Sequence, residues 1–340
     1  MQKLKTFLRR LSKMSFKRMK MYAEKAAARS GRPALLIMLD MVWCSFVYGV
    51  GYLDYLTFGF VWQSAKKRRS FMTMNDNLSL VRRLNPAEKR EVFEDKALFA
   101  RRFADFMGRG FTDLRESGER GFRAFCQKHP VVFAKETHGF GGHGVLRLRS
   151  EKIEDFSALY KELCAKEMFL IEQEAAQHID MNRLNQSSVN TVRIVTLEKD
   201  GEVYIMYALI RMGSGEGYVD NISSGGMYAP LDSEGKISAE AFCDRTGEYY
   251  SEHPATHTAL IGFQVPYFKE ALELVKRAAK LAEGVRYIGW DVAVCKDGPV
   301  FIEGNTIPSY DMCQNYRHLG PDKTGVKPKF VAVLGSEFYG

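Results

Sequence analysis

Trp290-Asp291-Val292-Ala293-Val294-Cys295-Lys296-Asp297-Gly298-Pro299-Val300-Phe301-Ile302-Glu303-Gly304-Asn305 reads as two strands joined by a tight turn. A three-residue loop, Lys296-Asp297-Gly298 with Gly298 left-handed, sets Cys295 against Pro299. The same register sets Asp291 against Glu303, and Asn305, two residues on, shares their face. Three oxygen donors then converge in a segment otherwise made of Val292, Val294, Val300 and Ile302. Two carboxylates this close repel unless a cation lies between them. Hard oxygen donors suit Mg2+, which completes its shell with water and phosphate oxygens.

A second stretch complements the first. Val131 to Lys135 is a short strand, Gly139, Gly141 and Gly144 follow, and Val145 to Arg149 alternates as another strand. G-x-G-x-x-G alone is weak, and its context decides which phosphate loop it is. A dinucleotide fold needs a helix after the glycines, and here a strand follows. A protein kinase needs H-R-D and D-F-G, and neither tripeptide occurs. A hairpin of glycines can fold over a triphosphate because its amides approach without side-chain hindrance. Lys135, at the end of the entering strand, supplies a charge to a phosphate.

The rest of the chain fits around these two hairpins. Thr191 to Leu197 and Val203 to Arg211 read as strands joined at Asp200-Gly201. Met168 to Gln173 is a further strand, and helices are expected over Ile153 to Cys164, from Asp95-Lys96 to about Gly108, and from Pro266 to Gly284. Helices interleave with antiparallel hairpins, so the class is α+β. Residues 34–62 are apolar and read as buried helix, whereas residues 66–92 read as a polar, basic connector.

Over 340 residues, 46% hydrophobic and 26% charged is ordinary globular composition and excludes a disordered chain. The net charge of +8 is uneven: residues 1–32 hold 11 Lys/Arg and one acid, leaving 38 bases and 40 acids elsewhere. The body therefore offers no case for nucleic-acid binding, while Leu4, Phe7, Leu8, Leu11 and Met14 give residues 1–30 a basic amphipathic helix suited to an anionic membrane surface. The longest uncharged run nearby, Met41 to Leu53, is too short to span a bilayer, and bases continue to Arg32 where a signal peptide needs an apolar core. Six scattered cysteines without a C-x-x-C pair point to a reduced, cytoplasmic setting.

Lysine-bearing strand, glycine hairpin, strand ending in acid and late D…E-x-N hairpin occur here in the order of the ATP-grasp superfamily. The chain resembles its sugar-transfer-associated branch, related to α-L-glutamate ligases, through Asn190-Thr-Val-Arg193, Ile210-Arg211-Met-Gly, Val219-Asp220-Asn221, Gly225-Gly226, Gly289-Trp290-Asp291 and Ile302-Glu303-Gly304-Asn305. That resemblance implies two α+β lobes clasping ATP over residues 91–320; the residue pattern adds a basic helix at 1–30, a helical lobe and connector at 31–90, and a tail at 321–340. The resemblance implies phosphate contacts from Lys96 and Lys135, a closing loop of Gly141, Gly142 and Gly144, and adenine recognition by the backbone and acid of the hinge Leu170, Ile171, Glu172 and Gln173. Asp291, Glu303 and Asn305 match the Mg2+ ligands, and Arg193 and Arg211 match arginines facing the transferred phosphate or the acyl intermediate. The acid that binds ribose in many relatives is replaced by Asn190-Thr191, with Asp180 as the substitute candidate.

The expected activity is ATP-dependent joining of a carboxylate to an amine, such as an amino acid and a sugar precursor, through an acyl phosphate. Two other readings compete: a phosphotransferase, and a non-catalytic nucleotide-binding scaffold of a glycosyltransferase complex. His143 reads as solvent-facing, and His253 and His257 fall in a loop that could line the acceptor side.

Overall fold

The computed structural model describes residues 15–138, 144–215 and 225–340. Their contacts divide them into two compact units, one up to Leu80 together with Ser309–Gly340, the other Val81–Pro308.

The first unit is helical. Ser15 caps the helix Phe16–Ser30 by accepting from the Arg18 amide, and Gly31 ends it at φ 71°, a left-handed conformation that a side chain would resist. The helix Ala34–Val47 follows Pro33, then short helices at Tyr52–Thr57, Phe60–Trp62 and Ala65–Arg68. Phe58, Phe60 and Phe71 form an aromatic core with ring centroids 5.0–5.8 Å apart. Asp40, the one charge on the Ala34–Val47 helix, is neutralised by both terminal nitrogens of Arg68 at 2.8 and 2.6 Å and accepts a hydrogen bond from the Tyr55 hydroxyl at 2.6 Å.

Two expectations are corrected here. Residues 34–62 are not one buried helix: the chain breaks at Tyr48–Gly51, and Leu35, Leu36, Leu39 and Trp43 are exposed. Apolarity all round the helix concealed that only Ile37, Met41 and Cys44 of its residues are buried. Residues 66–92 are not a connector either. They contain the helix Met74–Leu84, whose Asn77, Leu80, Val81 and Leu84 form a buried three-and-four stripe between basic residues.

The second unit is α+β, as expected. A four-stranded antiparallel sheet runs in the order β1 (Phe111–Asp113), β4 (Leu170–Gln173), β2 (Val131–Lys135), β3 (Val145–Arg149). Leu114, Phe122 and Cys126 from the helix Leu114–Lys128, and Leu163 from the helix Phe156–Ala165, pack on its Val132, Ala134 and Ile171. A seven-stranded antiparallel sheet contains β5 (Thr191–Lys199), β6 (Glu202–Met212), β7 (Met227–Pro230), β8 (Ala241–Cys243), β9 (Glu248–Tyr250), β10 (Tyr287–Cys295) and β11 (Gly298–Asn305). Its order is β11-β10-β5-β6-β7-β8-β9. The helix Phe268–Leu281 buries Ala271, Leu274, Val275 and Ala278 in the core of that sheet. Trp290 anchors the same core, stacked on Phe301 at 4.8 Å and bonded through its indole N–H to the Thr196 hydroxyl at 2.8 Å.

The β10–β11 hairpin reaches the expected pairing by an unexpected route. Cys295 pairs with Gly298, not Pro299, so the loop is two residues long. A bulge between Val292 and Asp291 then takes up one extra residue, Ile302, and restores the pairing of Asp291 with Glu303.

Candidate active site

Three neighbouring strands carry the centre of the site. Asp291 on β10 pairs with Glu303 on β11 and, on its other side, with Arg193 on β5. Direct cross-strand neighbours lie about 5 Å apart, so their side chains meet by register alone. Arg193 donates to Asp291 through both Nε and Nη2, the latter at 2.8 Å. Arg211, from β6, donates Nη1 to Asp291 Oδ2 at 2.9 Å. Burial alone would push the Asp291 carboxyl up, but the two guanidiniums overcome it and hold that group far below the usual carboxylate range. Glu303 moves the other way: burial and the charge of Asp291 raise it. The two carboxyls are hydrogen-bonded to each other, and Asn305 donates Nδ2 to Glu303 Oε1 at 3.3 Å.

This donor set fits a divalent cation. The hydrogen-bonded carboxyls of Asp291 and Glu303 present hard oxygens at one point, where a cation can relieve the repulsion between them. Among the described residues no three His, Cys, Asp or Glu side chains converge, so the set is two acids and the Asn305 amide.

The lysines approach from the four-stranded sheet and the helix Lys96–Arg102. Asp95 caps that helix by accepting from the Ala97 and Leu98 amides, which places Lys96 at its first position. The Lys96 amide donates to the Thr137 carbonyl and its Nζ to the Glu136 carbonyl, each at 3.0 Å. Burial pushes the Lys96 ammonium down, and the nearby charge of Lys135 adds to this, while Glu303, Glu136 and Glu172 oppose it. Lys135 Nζ lies 2.5 Å from Glu172 Oε2, and Arg109 Nη2 donates to Glu172 Oε1 at 2.9 Å.

Glu172 therefore departs from its expected role. Its carboxylate is 2% exposed, with a cation on each oxygen. In this geometry it brackets Lys135 rather than presenting an acceptor to a base. Ile171 also turns away, into the core between the four-stranded sheet and its helices, and Gln173 accepts from the Gly110 amide at 3.2 Å. Leu170 of this strand, though buried, contributes to the wall of a cavity. With Phe93, Phe99, Ile302 and Ile307 it lines this cavity of about 200 Å³, whose polar wall is Lys96, Glu303 and Asn305.

Gly144 has φ 70°, a left-handed conformation that favours glycine, and a Cβ there would also displace the Glu136 carboxyl. Gly141 and Gly142, with His143, lie outside the described residues, as do Val219, Asp220 and Asn221. Asp180 is not brought to the site. It sits in the short helix Ile179–Asn182 beside Arg183 and His178, and that segment attaches to the Val294–Lys296 end of β10. His253 is fully buried and bonds the Gly213 carbonyl through Nε2 at 2.7 Å, and burial lowers its pKa, so it serves as a neutral tie just past β6; His257 is exposed. Sequence reasoning missed Arg109 and the Phe93–Phe99 wall. Arg109 lies between two glycines with no periodic pattern to mark it, and its partners Glu172 and Phe301 are remote in sequence.

The two-sheet fold and the acid–arginine row define an ATP-grasp protein. Residues 75–320 match the model of the sugar-transfer associated ATP-grasp family, and the chain belongs to that family. Among solved structures it is similar to D-alanyl-alanine synthetase A from Vibrio cholerae O1 biovar eltor str. N16961, with 11% identity, a TM-score of 0.44, and coverage of 74% of this chain and 67% of that one. It is also similar to the ATP-grasp ligase PsnB complexed with precursor peptide PsnA2 and AMPPNP, with 14% identity, a TM-score of 0.45, and coverage of 76% and 63%. Phosphoribosylamine–glycine ligase from Thermotoga maritima gives 12% identity, a TM-score of 0.45, and coverage of 74% and 56%. The chain thus spans about two thirds or less of the length of these three. No curated protein matches it.

Proposed function

We propose that this protein is an ATP-dependent carboxylate–amine ligase that works through an acyl phosphate. The observation that carries the reading is the Glu303–Asp291–Arg193 row with Arg211 beside it, reached by Lys96 on the same cavity. A carboxylate is a poor electrophile until one of its oxygens is phosphorylated. In the first step a substrate carboxylate oxygen attacks the γ-phosphorus of ATP, and the bond to the β–γ bridging oxygen breaks, releasing ADP. In the second, an amine attacks the acyl carbon, phosphate leaves with the bonding electron pair, and the nitrogen loses a proton to give the amide.

Such transfers depend on positioning and charge neutralisation more than on covalent chemistry. Arg193 and Arg211 would orient Asp291 and offer donors to charge that develops on the moving phosphoryl group. Lys96 and Lys135 would hold the phosphate chain. Asp291, Glu303 and Asn305 would hold Mg2+, which when bound screens the charge of the terminal phosphates. The family description points to saccharide work, so the proposed acceptors are an amino acid and a sugar precursor, in the cytoplasm at the inner membrane face.

The test is an ADP-release screen of amino acids against amino sugars and sugar acids, with mass spectrometry of products. An amide formed with release of ADP and phosphate supports the ligase. A phosphorylated product without an amide would replace it with a phosphotransferase. Asp291→Asn and Glu303→Gln should each abolish turnover, and normal turnover in both would refute the site.

A further inference from the structure

The first unit presents a surface that the ligase reading does not use. On the helix Ala34–Val47, Leu35, Leu36, Leu39 and Trp43 are 59–68% exposed, and Val47 is 41% exposed. At 100° per residue these five fall within one arc of about 120°, opposite the buried Ile37, Met41 and Cys44. Apart from Asp40, which Arg68 neutralises, residues 33–47 carry no charged side chain. Residues 15–32, by contrast, carry six Lys/Arg and one acid, and Lys17, Lys20 and Arg32 among them are exposed.

We infer that the exposed face of the Ala34–Val47 helix docks in the surface layer of an anionic lipid bilayer, with the basic residues of the preceding helix paired to headgroups. Sequence patterning places membrane contact in residues 1–30, of which 1–14 lie outside the described residues; the exposed stripe on Ala34–Val47 is a further apolar surface beyond them. Three observations select a lipid surface. The stripe is aliphatic with one tryptophan, and its single polar atom is the Trp43 indole N–H, which suits the headgroup level of a bilayer, whereas protein interfaces are about as polar as the rest of a protein surface. Its neighbour in sequence carries the opposite charge to that of anionic headgroups. No single helix among the described residues is long and apolar enough to cross, and the Phe16–Ser30 and Ala34–Val47 helices meet at a bend of 117°, so together they make no straight span. A 14-residue helix reaches about 21 Å, short of the ~30 Å hydrocarbon core, so it lies along the surface.

The test is co-flotation of the full chain with vesicles of phosphatidylcholine alone, or mixed in equal parts with phosphatidylglycerol. The wild type should float with the mixed vesicles, less so at high salt. The variant Leu36→Gln/Leu39→Gln/Trp43→Gln, which alters exposed positions only and should keep its melting temperature, should bind about tenfold or more weakly. Lys17→Gln/Lys20→Gln/Arg32→Gln should lose the preference for the anionic lipid. Trp43 should become shielded from iodide on binding, a change absent in Trp43→Phe. Equal binding by wild type and the triple apolar variant would overturn the inference. So would vesicle binding that survives in that variant and disappears on removing residues 1–14, which would assign the contact to those residues. A wild type that sediments as a dimer and ignores vesicles, beside a monomeric apolar variant, would assign the face to a second copy of the chain. None of these results touches ADP release in solution, so this inference and the ligase reading fail separately.

Discussion

Asp291 and Glu303 face each other across the β10–β11 hairpin as a hydrogen-bonded pair of carboxyls, yet their environments drive them apart. Asp291 carries two guanidiniums and is held strongly ionised, whereas Glu303 is raised by burial and by Asp291 itself. The pair should answer to substitution with opposite signs. Asp291→Asn leaves Arg193 and Arg211, 7% and 8% exposed, without this counter-charge and should cost about 2–4 kcal/mol of stability. Glu303→Gln removes a repulsive acid and should be neutral or stabilising by up to about 1 kcal/mol. Urea unfolding of the two variants separates these outcomes; equal destabilisation would show that the two acids share one environment. Both variants should lose about 100-fold or more in ADP release.

Glu172 gives a pH dependence with a definite sign. Burial would raise its carboxyl, but Arg109 and Lys135 together hold it below its ordinary value. A lowered carboxyl contributes stability that is full above the unfolded value, about 4.3, and is lost as pH falls through the lower folded value. Glu172→Gln removes that contribution. The gap in melting temperature between wild type and Glu172→Gln should be widest near neutral pH and narrow below about pH 4. A gap that stays constant from pH 7 to pH 3 would show that the carboxylate is not held by its two cations.

Gly304 pairs with Trp290 and points to the face opposite Glu303 and Asn305. A Cβ there would come within 2.8 Å of the Phe93 and Phe99 rings. Gly304→Ala should therefore overpack the aromatic wall of the cavity and cost about 1–3 kcal/mol. Urea unfolding reads this, and an unchanged midpoint would mean the rings move aside freely.

Arg109 joins the two sheets through one guanidinium: Nη2 on Glu172, and Nη1 on the Phe301 carbonyl at 2.5 Å and the Met107 carbonyl at 3.1 Å. Lysine keeps the charge but not the planar fork. Arg109→Lys should cost about 1–3 kcal/mol, because at least one buried carbonyl loses its donor. Unfolding at neutral pH measures it, and a variant as stable as wild type would show that one contact suffices.

Much of the second unit was legible because its signals are local. The Asp200-Gly201 turn, the alternation of Val145 to Arg149 and the pairing of Asp291 with Glu303 all follow from periodicity over a few residues. The turn length was not legible, since a short loop and a bulge at Ile302 offset each other and leave the acids where a longer loop would put them. Glu172 was visible as a strand acid, but its engagement depends on Arg109, 63 residues away, which no local pattern records. Exposure of Leu35, Leu36 and Trp43 was hidden for a related reason: composition reports that a side chain is apolar, not whether anything covers it.

The bulge has a consequence for how this hairpin can vary. Because it absorbs the offset between Val292 and Asp291, the aim of the two acids is decoupled from the tip at Lys296-Asp297. Evolution, or an engineer grafting a peptide, can lengthen or recode that tip while the chemistry next to the kink stays in alignment.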